Sequence, residues 1–138
     1  MVYNIIMENI INTMKMTNDF DNALKAQEQL QLAYGINCHA KGKERNEVLK
    51  DYIFCATDEL HEALRSFAWR SWSTKEDYNS DRVKEELRDV FQFFLNMMLI
   101  TDMTPEELFK LVKEKQQVNW NRIKNDYGER VENQEDEQ

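Results

Sequence analysis

The residues best placed to do chemistry are acids in two short groups, Glu59-Leu60-His61-Glu62 and Glu86-Leu87-Arg88-Asp89. Each group lies in a stretch whose apolar spacing predicts a helix, and residues three apart on a helix share a face. Each rod therefore presents two carboxylates on one side, and packing the rods antiparallel gathers all four. Anions this close in a partly dry site repel one another unless cations lie between them. Donors that are all oxygen suit Mg²⁺, with Mn²⁺ as the other choice, better than zinc or copper. The chemistry such a site serves is metal-assisted attack on a phosphate. Acidic pairs three apart also decorate many solvated helix faces; what sets these apart is the repetition on neighbouring helices, each flanked by apolar residues.

The elements that must position these acids can be read from pattern. The first acidic helix is expected from about Glu47 to Trp72, with Leu49, Ile53, Ala56, Leu60, Ala63, Leu64 and Phe67 on its apolar face. Ser73–Ser80 reads as a loop, and Ser80 or Asp81 as the N-cap of the second acidic helix. That helix continues to about Thr101, burying Leu87, Val90, Phe91, Phe94, Leu95 and Met98. Upstream, Phe20 to about Tyr34 carries a helical stripe with Gln27 and Gln31 set into it, and Gly35 with Asn37 makes a stop. The polar stretch Cys38–Asn46 reads as a loop. Met1–Asn18 is a short leading helix or a partner-binding arm. Downstream, Thr104-Pro105-Glu106-Glu107 is a capping box with proline at the first helical position. The helix it opens runs through Leu108, Leu111, Val112 and Val118 to about Asp126, with Gly128 as its stop. The chain is thus expected to be one all-α domain over residues 1–128, a helical bundle with antiparallel core helices, followed by an acidic disordered tail at 129–138.

Composition agrees with this class. One proline, three glycines and a charged fraction of 32% favour long helices. A net charge of −8 argues against broad nucleic-acid binding. No signal-peptide pattern and no run long enough to span a bilayer are seen, so the expected address is cytoplasmic, in a cell or in the host of a phage. Cys38 and Cys55 lack metal-type spacing and read as reduced thiols. A di-iron bundle would need Glu-x-x-His on two helices; Asp58-x-x-His61 is a partial match on one, and His39 falls in a loop, so His61 reads as a surface or interface residue. Phe93, Phe94, Met97 and Met98 nearly encircle the second acidic helix, and burying it from so many directions calls for a homodimer or higher homo-oligomer.

Further candidates lie along the same stripes. Trp69 follows Glu62, and Asn96 follows Asp89, each by seven residues, so a ring and an amide extend the two acidic faces. Trp69-Arg70-Ser71-Trp72 is an aromatic and basic cluster that serves either as a packing anchor or as a ring for a base with a cation for phosphate. Lys115, Asn119 and Arg122 share one face of the last helix, with Tyr127 just beyond.

Taken together, these stretches resemble the all-α nucleoside triphosphate pyrophosphohydrolase superfamily, which includes the MazG-like enzymes and the dimeric dUTPases. The closest similarity is to the dimeric dUTPase and phage-type dCTPase/dUTPase branch. Glu59-x-x-Glu62 and Glu86-x-x-Asp89 resemble its signature, and Trp69-Arg70-Ser71-Trp72 its aromatic-basic motif. Glu86-Leu-Arg-Asp-Val-Phe-Gln-Phe-Phe-Leu-Asn96 resembles its second acidic helix. Lys115-x-x-x-Asn119-x-x-Arg122-x-x-x-x-Tyr127 resembles its C-terminal phosphate-binding motif, and Gln27 sits where the branch places a glutamine near the pyrimidine. The chain departs from the branch at Gln92, in place of a common histidine, at Ser73, where a lysine often stands, and at Gln116, Ile123 and Asp126.

The resemblance implies Mg²⁺-dependent hydrolysis of a deoxynucleoside triphosphate, dUTP and/or dCTP, to monophosphate and pyrophosphate. It implies Glu59, Glu62, Glu86 and Asp89 as metal ligands, with Glu62 acting on the attacking water. Lys115, Arg122 and Tyr127, assisted by Arg70, would bind the outer phosphates, Asn96 and Asn119 the sugar or metal waters, and Gln27 and Trp69 the base. Uracil and cytosine stay open, as do a MazG-like enzyme with another nucleotide preference and a non-catalytic helical dimerisation module. No nucleic-acid or membrane partner is expected.

Overall fold

A computed structural model describes residues 20–73 and 78–135, with side chains described as far as residue 125. Its helices are α1 (Phe20–Ala33), α2 (Gly42–Arg65), α3 (Ser80–Ile100) and α4 (Pro105–Glu135), and there is no strand among the described residues. The all-α expectation is met. The expected leading segment Met1–Asn18 and part of the Ser73–Ser80 loop lie outside the described residues.

Helix α1 ends as its sequence requires. Gly35 takes φ +75°, its N–H donates to the Leu32 carbonyl at 3.0 Å, and the Ile36 N–H donates to the Gln31 carbonyl at 3.0 Å. This is the paired closure a left-handed residue permits at a helix C-terminus, and a glycine adopts that conformation without a Cβ clash.

Helix α2 starts earlier and ends earlier than the pattern suggested. Lys43, Glu44 and Glu47, exposed, and the half-buried Arg45 form its first turns, because long charged side chains are good helix formers as well as loop residues. At the other end Ser66 is buried, its hydroxyl donates to the Glu62 carbonyl at 3.0 Å, and its N–H reaches the Ala63 and Leu64 carbonyls. A serine that bonds the preceding turn in this way offers the backbone an alternative to another helical turn. Trp69 and Trp72 consequently lie beyond the helix, half and more exposed, with the Arg70 guanidinium 4.9 Å and 5.8 Å from their ring centroids.

Helix α3 is capped one residue before the expected position. The Asn79 side chain accepts from the Arg82 N–H at 3.1 Å. Helices α2 and α3 run antiparallel. Ser66 meets Asn79 through a backbone hydrogen bond of 3.5 Å, and the Tyr52 and Phe93 rings lie 6.5 Å apart, so the register holds along the seam. Ala56 and Ala63 of α2 and Val83 of α3 are buried, and small side chains at this spacing let the two backbones approach closely. Helix α1 runs parallel to α3, with Phe20 edge-on to Phe91 at 5.8 Å and Gln27 on Asn96.

The core gathers Ala40, Tyr52 and Ile100, with Ile36, Val48, Leu49, Phe93 and Met97 against them. One chain covers more of α3 than its sequence suggests, since Met98 is 1% exposed and Phe93, Phe94 and Met97 are half-buried. Several residues expected inside are instead exposed: Ile53 and Leu60 on α2, Leu87 and Phe91 on α3. Helical spacing puts an apolar residue on a face; only the neighbouring elements decide whether that face is covered.

Residues 20–103 and 104–135 belong to separate compact units. In the second, the Thr104 hydroxyl accepts from the Glu107 N–H and the Glu107 carboxylate accepts from the Thr104 N–H, both at 3.2 Å, which is the expected capping box. The α4 helix passes through Gly128 to Glu135 rather than stopping there. One glycine costs only about 1 kcal/mol in a helix interior, and the Glu, Arg, Val and Gln residues after it are compatible with further turns.

Candidate functional site

The antiparallel register of α2 and α3 carries the acidic groups to one place. Carboxylate oxygens of Glu59, Glu62 and Glu86 lie within 4.8 Å of one another. The Glu86 side chain is 13% exposed and that of Asp89 30% exposed, so the cluster is partly withdrawn from water. Burial comes first among the causes that push the Glu59 carboxyl above its ordinary range. A hydrogen bond shared with Glu86 comes next, followed by the charges of Asp89, Glu62 and Glu86. Glu59 thus feels each of the other three acids, although Asp89 stands outside the tight trio. The cations nearby are weak counterweights: Arg82 is 3.9 Å from Glu86, and the exposed Arg88 pairs with its neighbour Asp89 at 2.9 Å.

This donor set fits a hard divalent ion. It is oxygen-only, and it gathers carboxylates whose mutual repulsion a divalent cation would relieve. His61 is not among the converging ligands; it lines a separate depression with Phe54, Thr57 and Asp58. The acidic trio holds no imidazole, whereas a di-iron bundle pairs Glu with His on two helices.

Glu59 and Asp89 also line a cleft of about 460 Å³ between α1, α2 and α3. Its polar wall is built from amides held in place by one another. The Gln27 amide donates to the Asn96 carbonyl oxygen at 2.8 Å, with both side chains buried. The Tyr52 hydroxyl donates to the Gln31 carbonyl oxygen at 2.7 Å, and burial, with Cys38 and Cys55 nearby, pushes its pKa up to about 12, so it remains a donor. Phe93, Ile36 and Tyr34 supply apolar and aromatic surface. A pocket that is mostly apolar, with a few fixed hydrogen-bonding groups and a cluster of anions at one end, suits a small planar molecule bearing phosphates.

Nothing in the chain's match to curated proteins or to solved structures bears on this site, since neither comparison gives a match. Residues 19–116, however, match the dUTPase family. The chain belongs to the dUTPase family. With its all-helical architecture it is one of the all-α nucleoside triphosphate pyrophosphatases, and the family's enzymes are hydrolases that use a divalent metal. The matched span of this dUTPase-family chain contains both acidic groups, Gln27, Trp69, Arg70, Asn96 and Lys115, while Asn119, Arg122 and Tyr127 lie beyond it.

The structure brings Gln27, Asn96, Glu59 and Asp89 to one cleft, and Glu62 and Glu86 to its acidic end. Trp69 and Arg70 do not line that cleft, because α2 stops before them. Lys115, Asn119 and Arg122 are exposed on α4, and the side chain of Tyr127 lies outside the described residues. Gln31 and Tyr52 are cleft residues that spacing alone did not single out for binding. The signal was present: Gln31 is one helical turn after Gln27, and Tyr52 lies two turns before Glu59 on the same stripe.

Proposed function

We propose that the protein is a Mg²⁺-dependent nucleoside triphosphate pyrophosphohydrolase that cleaves dUTP and/or dCTP to the monophosphate and pyrophosphate. The observation that carries this reading is the convergence of Glu59, Glu62 and Glu86 within 4.8 Å at the end of a cleft bounded by Asp89 and a buried amide pair. Glu59, Glu62, Glu86 and Asp89 hold the metal. When bound, Mg²⁺, or Mn²⁺ in its place, offsets negative charge on the phosphates and acidifies water.

The residues of the chain have distinct roles in this proposal. Glu62, by family resemblance, positions the attacking water and accepts its proton. The water adds to the α-phosphorus as the α–β bridging bond breaks, and the bridging oxygen leaves with pyrophosphate. Gln27 and Asn96 face the base or sugar: once their mutual bond is formed, the pair still carries amide acceptor and donor capacity of the kind a pyrimidine edge requires. Lys115, Arg122 and Tyr127 bind the outer phosphates by resemblance, with Arg70 assisting, Asn119 contacting sugar or metal waters, and Trp69 the base. Ile53, Leu60 and Leu87, exposed on one copy, support a homodimer or higher homo-oligomer. The compartment proposed is the cytoplasm; no described helix is long and apolar enough to cross a membrane.

The test is pyrophosphate release across the common dNTPs and NTPs with Mg²⁺, run beside Glu62→Gln. Hydrolysis of pyrimidine deoxynucleotides, reduced on the order of a thousandfold by the substitution, is the expected result. Preference for another nucleotide would make it a MazG-like enzyme of different specificity. No release from any of them, together with no Mg²⁺-dependent heat on adding a non-hydrolysable dUTP analogue, would leave a non-catalytic helical module.

A further inference from the structure

Away from the acidic trio, a second set of ligand atoms comes together where α1 faces the loop that follows it. A carboxylate oxygen of Glu28, the sulfur of Cys38 and a ring nitrogen of His39 lie within 4.8 Å of one another. We propose that these three side chains bind a zinc-type divalent ion, leaving a fourth position for water or a small ligand.

The donor chemistry separates this site from the acidic one. Thiolate, imidazole and carboxylate together select zinc and its neighbours, whereas four carboxylates select Mg²⁺ or Mn²⁺. Ligand atoms at about 2.0–2.3 Å from a tetrahedral ion lie within about 4 Å of each other. Small side-chain rotations therefore close the observed group onto a metal.

The surroundings have the asymmetry of an open three-ligand site. Cys38 is 0% exposed and closes the inner side, while the His39 and Glu28 side chains are 50% and 33% exposed and open outward. The loop fixes this inside–outside split. The Cys38 N–H donates to the Ile36 carbonyl at 3.1 Å, and the Asn37 side chain accepts from the His39 N–H at 3.2 Å. The Ala40 N–H donates to the Asn37 carbonyl, also at 3.2 Å. The His39 ring already engages the Glu28 carboxylate. An ion would replace that hydrogen bond, and the Cys38 thiol would give its proton to water on ligation.

Its consequence lies in the wall of the cleft. Glu28 adjoins Gln27, and Ile36 of the same loop lines the cleft. An ion held here clips that loop to α1 and holds the wall beside the Gln27–Asn96 pair. The site stands on its own residues, independent of the hydrolase reading.

Co²⁺ alone, added to the full chain with Mg²⁺ in excess to occupy the acidic cluster, is the direct probe, followed by displacement with Zn²⁺. A thiolate-to-cobalt absorption band should saturate at one ion per chain and vanish on adding Zn²⁺. It should persist in Cys55→Ser and be lost in Cys38→Ser, and Zn²⁺ should raise the Tm of the parent chain but not of Cys38→Ser. His39→Ala and Glu28→Gln, at the exposed side, should each weaken Co²⁺ binding at least about tenfold, and they carry the test should Cys38→Ser fold poorly. Absence of the band in the parent chain overturns the proposal and leaves a plain Glu28–His39 ion pair. A band that survives Cys38→Ser and disappears in Cys55→Ser also overturns it, marking adventitious binding at the exposed thiol.

Discussion

Replacing Glu59 by glutamine separates what the acidic cluster does to the fold from what it does for chemistry. At 4.8 Å two unit charges repel by about 1 kcal/mol at the dielectric constant of water and about 3.5 kcal/mol at an effective value near 20. Glu59→Gln removes one charge from two such pairs and weakens a third interaction with Asp89, while the new amide can still bond Glu86. The cluster is only partly withdrawn from water, so the effective value lies nearer the lower figure, and the metal-free variant should be more stable than the parent by about 1–2 kcal/mol above neutral pH. For a chain of this length that is roughly 3–8 °C in Tm. Calorimetry in chelator, repeated with Mg²⁺, reads it: the ion should raise the Tm of the parent strongly and of Glu59→Gln little. Pyrophosphate release should fall on the order of a thousandfold. A variant less stable than the parent in chelator, or an equal Mg²⁺ response in both, would refute the electrostatic account of this cluster.

Other expectations follow from the same structure. Asn96→Ala leaves the Gln27 amide buried without its partner and should cost about 1–3 kcal/mol in urea unfolding, with KM rising more than kcat falls if the pair holds the base. The raised Glu59 carboxyl has a signed consequence. The native metal-free state binds more protons than the unfolded chain between the ordinary carboxylate value and the raised one, so its stability falls as pH rises through that window. The proposed metal-ligand role of Glu59 needs the ionised form, so the acid limb of activity at low Mg²⁺ should lie above the usual carboxylate range and move to lower pH as Mg²⁺ is increased. Thr104→Ala removes the acceptor that the Glu107 N–H uses and should lower stability or helicity of α4 by about 1 kcal/mol, measured by circular dichroism during denaturation. Light scattering at micromolar concentration should give a dimer or larger; a monomer would remove the support that exposed Ile53, Leu60 and Leu87 lend to assembly.

Much of this was written in the chain itself. The capping box at Thr104–Glu107, the glycine stop after α1 and the two acidic groups are local signals, each set by a few neighbouring residues and by helix periodicity. Helix ends without such signals were not legible. Where α2 stops depends on the buried Ser66 and its bond to the Glu62 carbonyl, and burial belongs to the packed molecule. The same holds for the faces of α2 and α3: spacing placed Ile53, Leu60, Leu87 and Phe91 on apolar stripes, but coverage depends on which element lies across them.

The site divides along the same line. Sequence alone decided that two rods would each offer a pair of carboxylates, because three-residue spacing on a helix is a local matter. Tertiary structure decided that Glu59, Glu62 and Glu86 converge, since that needs the α2–α3 register fixed by small residues at the seam. It alone joined Gln27 to Asn96 and Tyr52 to Gln31, and it alone set Glu28 beside Cys38 and His39. Contacts between residues far apart in the chain have no period to betray them; they exist only once the helices have packed.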